Sequence, residues 1–388
     1  MAGVRISVGI SESFDAVEAF TDAAREAAGG LGGERCDLCL VFCGAPHLAR
    51  GKWILSAVHE HLEPRHLIGC GAGGVVGGGR EIEEGPAAVV WAASMPAADI
   101  ATHHFETEQT AGGFQAVGLP EPDVLGEALI VLADPYSFVT EALLEGVREL
   151  RPGLPVLGGL ASAAAAGSAS LFRDGEVLAG GAVGCSIAGT PVLPCVSQGA
   201  APVGPEMTIT AANGNVIQEL ASKPALERLR EALGELDPRE QELAGSGLML
   251  GIVIDENKPE YERGDFLVRP IIGVDSDSES LAVGERIRVG QTVRMHVRDG
   301  ASADADLRDA LHAQVEALAP ARPAGALLFT CNGRGLHMFE TPDHDATAIE
   351  NALGVPAGGF FCAGEIGPVG GRNFLHGFTA TMAVFPSE

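Results

Sequence analysis

Basic residues are few in this chain of 388: 25 Lys+Arg stand against 52 Asp+Glu, a formal net charge of −27 at pH 7. No Lys/Arg stripe appears, so the electrostatic footprint of a nucleic-acid or anionic-membrane partner is missing and both are excluded. Aromatic residues are also sparse at 5%, whereas glycine reaches 53, which favours backbone-lined turns over large aromatic pockets. The start lacks the basic and then apolar segments of an export signal. The most apolar long stretch, 154–172, is mostly Gly, Ala and Ser; it is too weakly hydrophobic for lipid and reads as a loop beside a strand. Eight cysteines without an export signal predict reduced thiols in a cytoplasm rather than a disulfide framework. What is present suffices to fold, since 46% of residues are hydrophobic and 20% charged, and the length predicts two domains.

An internal repeat organises the chain. In the first copy an apolar run at 37–42 stops at Cys43-Gly44, and a helical pattern places Trp53, Ile54, Val58 and Leu62 on one side. A strand at 66–68 then enters GCGAGGVVGGG at 69–79, and a strand at 87–92 closes the unit. The second copy has a strand at 128–132, DPYSF at 134–138 and a helix at 140–150 with Leu143, Leu144 and Val147 as core candidates. Its second strand, 155–157, enters GGLAS, and a hairpin around Arg173-Asp174-Gly175 leads to a strand at 182–187. The third copy has a strand at 326–330, CNGRG, a helix at 346–353, a strand at 359–362 entering AGEIGP, and a closing strand at 378–385.

Between the second and third copies, 248–255, 267–274 and 293–297 read as strands of a degenerate fourth copy, with amphipathic helices at 220–233 and 305–318. Pro and Gly thicken at 202–207, with Pro238 as the alternative boundary, which gives domains 1–204 and 205–388. Crossovers of this length make parallel strands and hairpins add antiparallel ones. The predicted fold class is α/β: layered mixed-sheet domains built from repeated strand–helix–strand–hairpin units, each domain a pair of repeats.

Loops after the carboxyl ends of parallel strands gather at one rim, where ligands bind. The third copy places Cys331, Asn332 and Arg334 after its first strand and Cys362, Gly364 and Glu365 after its second. Arg334 suits an anionic ligand group, Glu365 an amine or hydroxyl, and a nearby Arg334 would lower the pKa of Cys331. The competing reading makes the cysteines small buried hydrophobes at strand ends. Asn373 and His376, after a Gly-Gly turn, complete the candidate set, His376 as a ligand contact or a switch near neutral pH.

Other motifs fail on context. Gly69, Gly71 and Gly74 match G-x-G-x-x-G, but the glycine-rich 75–79 cannot open the helix that a dinucleotide site needs. Cys36 and Cys39 have zinc-like spacing, yet Cys39 and Cys43 share a strand face that Cys36 does not, and no second pair follows. His59 and His61 miss the i,i+4 geometry, and no G-x-S-x-G elbow is present. Glu83, Glu84 and the acids around 275–279 read as solvated surface.

The strings FTCNGRG at 329–335, GFFCAGEIGP at 359–368 and NFLHGFT at 373–379 resemble, in order and spacing, those of the FIST (F-box and intracellular signal transduction) sensory family. SQGAAPVGP at 197–205, LGGLAS at 157–162 and DPYSF resemble strings of its N-terminal domain. The resemblance spans about 37–385 and implies N- and C-terminal FIST domains forming a ligand-sensing module for small molecules such as amino acids. With no room for an output domain, it implies a stand-alone sensor acting on a signalling protein in trans. GCGAGGVVGGG departs from the family, which carries hydroxyl residues and a Glu there, and this moves the expected site to the third copy. Relatives that resemble haem-binding nitric oxide sensors supply an alternative, with His376 or Cys331 as axial ligand. A second alternative is an enzyme using Cys331 or Cys362 as nucleophile and His376 as base.

Overall fold

The strand Leu38–Gly44 is buried along its whole length, and its alternation sends Leu38, Leu40 and Phe42 into one hydrophobic cluster and Cys39, Val41 and Cys43 into another. A strand covered on both faces reads as a continuous apolar run. The same division splits Ala128–Ala133, with Ala128, Ile130 and Leu132 on one side and Leu129, Val131 and Ala133 on the other. The computed structural model that shows this describes residues 3–162, 171–262 and 264–387. The stretch read as a loop at 154–172 starts with a strand, Val156–Leu160, and its residues 163–170 lie outside the described ones.

The three copies are present. Each has an opening strand (Leu38–Gly44, Ala128–Ala133, Pro323–Cys331), a crossover helix (Gly51–Leu62, Thr140–Leu150, His344–Leu353) and a parallel second strand (His66–Ala72, Val156–Leu160, Ala357–Cys362). A hairpin and an antiparallel closing strand (Ala88–Ser94, Ala182–Ala188, Ala380–Pro386) complete each copy. In the first crossover helix Ile54, Val58 and Leu62 are buried as expected, but Trp53 is 60% exposed, because its position lies off the apolar stripe.

None of the three copies' own hairpins stays with its own sheet. The first copy's hairpin, Val75–Gly77 and Arg80–Ile82, pairs with the second strand of the third copy, through Gly359↔Val76. The second copy's hairpin, Leu171–Arg173 and Glu176–Leu178, joins the first sheet through Phe172↔Gly69. The third copy's, Glu365–Val369 and Arg372–His376, joins the second through Gly159↔Glu365. The exchange is cyclic. The inner faces of all three sheets meet in one core, where Phe42 stacks on Phe360 at 5.0 Å and Trp91 donates to the Ala326 carbonyl at 3.1 Å.

One close approach recurs in all three sheets. A Cβ on Gly69, Gly158 or Gly359 would fall 2.3, 1.8 or 1.7 Å from the carbonyl oxygen of Val41, Val131 or Leu328 on the adjacent opening strand. The parallel pairs require glycine at these positions.

The chain forms two compact units, Met1–Val196 with Arg308–Glu388, and Ser197–Leu307. The third sheet begins with Leu193–Ser197, next to the closing strand of the third copy, as Arg5–Ser11 begins the first sheet. The second unit is thus inserted in sequence between that strand and the end of the helix Gly300–Leu318. The segments read as a degenerate fourth copy pair differently. Leu248–Val253, Phe266–Asp275 and Thr292–Val297 are antiparallel neighbours, and Ala201–Asn213 pairs with strands at both ends of the row, closing a barrel-like sheet. Val203, Ile209, Leu250 and Met295 fill it. The helix expected at 220–233 is Ala225–Gly234, since Val216–Leu220 is a strand. The layered, mixed-sheet α/β class holds throughout the first unit.

Candidate functional site

The CNGRG loop leaves the third opening strand at Cys331 and is held from below. Arg334 is fully buried and makes a two-pronged ion pair with Asp345, Nε to Oδ2 at 2.7 Å and Nη2 to Oδ1 at 2.8 Å. Thr330 donates to Asp345 Oδ2 at 2.8 Å, and His344 Nδ1 lies 3.0 Å from Oδ1. Burial pushes the Asp345 carboxyl up, but the Arg334 charge and the hydrogen bonds from Arg334, His344 and Thr330 outweigh it and hold the group well below the usual carboxylate range. The His344 ring stacks on Phe339 at 3.4 Å, and the Arg334 guanidinium stands 5.0 Å from the centre of the same Phe339 ring.

The hairpin donated by the first copy braces this loop. Glu81 Oε1 accepts from the Ala346 amide at 2.9 Å, in the first turn of the crossover helix, where unpaired N–H groups favour a carboxylate. Burial and the nearby Asp345 charge push Glu81 up to about 7. Glu83, expected on solvated surface, is half-buried and accepts from the Leu336 amide at 2.9 Å, because the exchanged hairpin carries it across to the third copy.

Beside the loop, Glu365 is fully buried. Its Oε2 accepts from the Thr379 amide at 3.0 Å and the Thr379 hydroxyl at 2.9 Å, while its Oε1 makes no hydrogen bond. Burial outweighs the Thr379 bonds and pushes the carboxyl up to about 8, so at neutral pH it is chiefly protonated. The Cys331 thiol is its neighbour and is pushed up to about 12 by burial and the Glu365 charge. The expected lowering of Cys331 by Arg334 fails, because Arg334 is committed to Asp345. Phe378 packs its ring over Gly333, where a Cβ would come within 2.4 Å, and holds a left-handed φ of 66°.

Of the residues singled out from sequence, Cys331, Asn332, Cys362 and Glu365 come together at the ends of adjacent strands. The Asn332 amide donates to the Cys362 carbonyl at 2.9 Å. Cys362 is buried where a Cβ on Gly159 would lie 2.3 Å from its sulfur, and the Gly364 carbonyl accepts from the Leu160 amide at 2.8 Å. Asn373 stands apart, donating to the Leu154 carbonyl and accepting from the Val156 amide at 2.7 and 3.0 Å. His376 is buried opposite Glu365 in the hairpin, with Nε2 on the Gly367 carbonyl at 3.0 Å. Of the two residues expected as axial ligands of a haem, His376 has its Nε2 on the Gly367 carbonyl, and the buried Cys331 sulfur accepts from the Gly333 amide at 3.4 Å. None of the eight cysteines is in a disulfide and all are buried, and no metal-ligating group forms among the described residues. Cys36 lies before the strand rather than on it, so it shares a cluster with Cys39 and Cys43.

Sequence reading missed Asp345, Thr330, His344 and Phe339 around Arg334, Thr379 beneath Glu365, and Glu81. Only Asp345 had a local signal, an acid directly before the helix predicted at 346–353, which in the structure begins at His344 and takes Asp345 into its first turn. Two of the open clefts among the described residues are sizeable. One, of about 530 Å³, lies between Gly300–Leu318 and the third crossover helix. The other, of about 470 Å³, lies beside the DPYSF turn, between Ser137, His104 and Gly180.

The FIST N domain model matches residues 37–223 and the FIST C domain model residues 225–368. An uncharacterized protein of Mycobacterium tuberculosis, Rv0628c, is 43% identical over 384 residues, 98% of this chain and 100% of the relative. A second, Mb0898c of Mycobacterium bovis, is 43% identical over 387 residues, 99% and 100%. FIST domains are associated with sensing in signal transduction, and no helix is long and apolar enough to cross a membrane among the described residues. Matched by both models and by relatives over their full length, the chain belongs to the FIST family.

Proposed function

We propose that the chain is a sensor of a small polar metabolite, such as an amino acid, with the loops after the strands of the third copy as its ligand site. A cytosolic signalling protein, engaged in trans, takes the output. One observation carries the reading: Glu365 is fully buried with Oε2 saturated by Thr379 and Oε1 unpaired. A buried polar atom without a partner costs stability, and a ligand that completes it recovers that cost. An ammonium group seated at Oε1 takes Glu365 in its ionised form, so binding releases a proton. A hydroxyl ligand does not.

Arg334 is a positioning residue in this scheme. Its bond to Asp345 fixes the turn that presents Asn332, and Cys331 acts as a buried wall rather than a nucleophile. Thermal unfolding of the full chain against the twenty amino acids and a set of simple amines tests the reading. A ligand that raises the melting temperature should lose its effect in Glu365→Gln. Calorimetry in buffers of different ionisation heat should show proton release near pH 7 for an amine. Equal stabilisation of wild type and Glu365→Gln by the same ligand would place binding elsewhere.

A further inference from the structure

Glu365 is fully buried, so a ligand reaches its Oε1 only if a neighbouring segment moves. Three of its surroundings are tied in place. Glu365 itself is paired in the sheet with Gly159 on one side and His376 on the other. The turn after Cys331 is pinned by the Arg334–Asp345 ion pair and by the Asn332 amide on the Cys362 carbonyl. Thr379 donates twice to Glu365, and its own carbonyl accepts from the Cys331 amide at 3.0 Å. The connection at 377–378, between Arg372–His376 and the closing strand, is different. A Cβ on Gly377 would meet nothing within 4 Å, which leaves the backbone there room to move. Phe378 holds its left-handed φ of 66°, a conformation that costs a bulky side chain strain. Its ring lies over Gly333 and its amide reaches the Cys331 sulfur. Phe378 is 42% exposed, whereas Thr379, Cys331 and Glu365 are buried, so one residue separates solvent from the buried acid's partners.

We propose that Phe378 is the gate of the Glu365 site: residue 378 leaves the left-handed region, its ring swings off Gly333, and the way to Glu365 Oε1 opens. This rests on Glu365 as the group that meets the ligand, but the motion itself is measurable with no ligand present. Opening relieves backbone strain and gives up the contact of the ring with Gly333, two terms of opposite sign. A ligand that pairs with Oε1 only in the open state shifts the population toward it.

The test labels the folded full chain with iodoacetamide and reads each cysteine by peptide mass spectrometry. Cys331, the neighbour of Glu365, reports the gate. In Phe378→Gly, which accepts the left-handed φ and removes the ring, Cys331 should react at least about tenfold faster than in wild type, because water and reagent reach it. Cys362, fully buried against Gly159, should stay slow. Phe378→Leu trims the ring but keeps an apolar side chain, and should give a smaller increase. It decides the matter where all eight cysteines of Phe378→Gly accelerate alike, the sign of a loosened fold. For an amine that stabilises wild type through Glu365, association and dissociation should both quicken in Phe378→Gly, with Kd changed by less than about threefold. Cys331 rates equal to wild type in both variants, or unchanged rate constants for a bound amine, overturn the gate. Faster Cys331 labelling with no amine bound by wild type supports the gate and refutes the amine reading, so the two failures are distinguishable.

Discussion

Two buried carboxyls of opposite character sit within one loop cluster, and their titrations run in opposite directions. Glu365 is raised to about 8 in the fold, so between about pH 4.5 and 8 the folded chain holds a proton that the unfolded chain has lost, and stability falls as pH rises through that window. Glu81, raised to about 7, adds to the same slope. Asp345 is depressed, so its contribution is present above the ordinary carboxylate range and is lost in acid. Glu365→Gln should flatten the decline and gain stability over wild type from pH 5.5 to 8.5, by up to a few kcal/mol. Urea unfolding at both pH values measures this, and a parallel decline in the two proteins would contradict the raised pKa.

The Arg334–Asp345 pair makes a second residue-scale prediction. Arg334→Met or Asp345→Leu alone leaves a buried charge unpaired and should cost about 3–5 kcal/mol, whereas the double replacement should cost much less than the two together. Costs that simply add would mean the pair is not coupled. Cys331, at about 12, should react with iodoacetamide at neutral pH at least about 100-fold more slowly than a free cysteine. A fast reaction would restore the nucleophile alternative.

At the scale of elements, the three glycines of the second strands explain part of the glycine excess. Gly359→Ala would set a Cβ 1.7 Å from the Leu328 carbonyl oxygen, and because backbone must move, a loss of about 3 kcal/mol or more is expected. Gly29→Ala is the contrasting case, in the helix Ala16–Leu31 with nothing within 4 Å of the new carbon, and a gain of about 0.5–1 kcal/mol is expected from helix propensity. Melting temperatures of the two variants should move in opposite directions.

The same elements show how far sequence reading reached. Strands and crossover helices were legible because two-sided burial writes unbroken apolar runs and helical faces write a 3.6-residue period. The barrel-like segment was misjudged because three apolar runs look alike whether their partners are parallel or antiparallel. At the site, Cys331, Asn332, Cys362 and Glu365 were found together because strand ends gather at one rim. Asp345 and Glu81 were not, since nothing local ties Arg334 to a helix eleven residues on or to a hairpin from another copy.

For the first unit as a whole, the cyclic exchange of hairpins makes each sheet depend on another copy. The Phe361 amide in the third copy donates to the Gly74 carbonyl in the first at 2.9 Å. Val76→Pro, in the first copy's hairpin, removes a ladder donor opposite Gly359. Hydrogen exchange should then show lost protection at Phe361 and Gly359, distant in sequence, as well as in the hairpin itself. Loss confined to residues 75–82 would mean the copies are energetically independent.

The sequence by itself determined the family, the three copies, the α/β class and which loops reach the rim, because these depend on local periodicity, on strings of adjacent residues and on the right-handed crossover rule. Only the tertiary structure decided that each hairpin leaves its own sheet, that Arg334 is neutralised by Asp345, and that Glu365 keeps its proton. Those outcomes depend on burial and on partners far apart in the chain, and the energy of a charge is set by the side chains that fold around it.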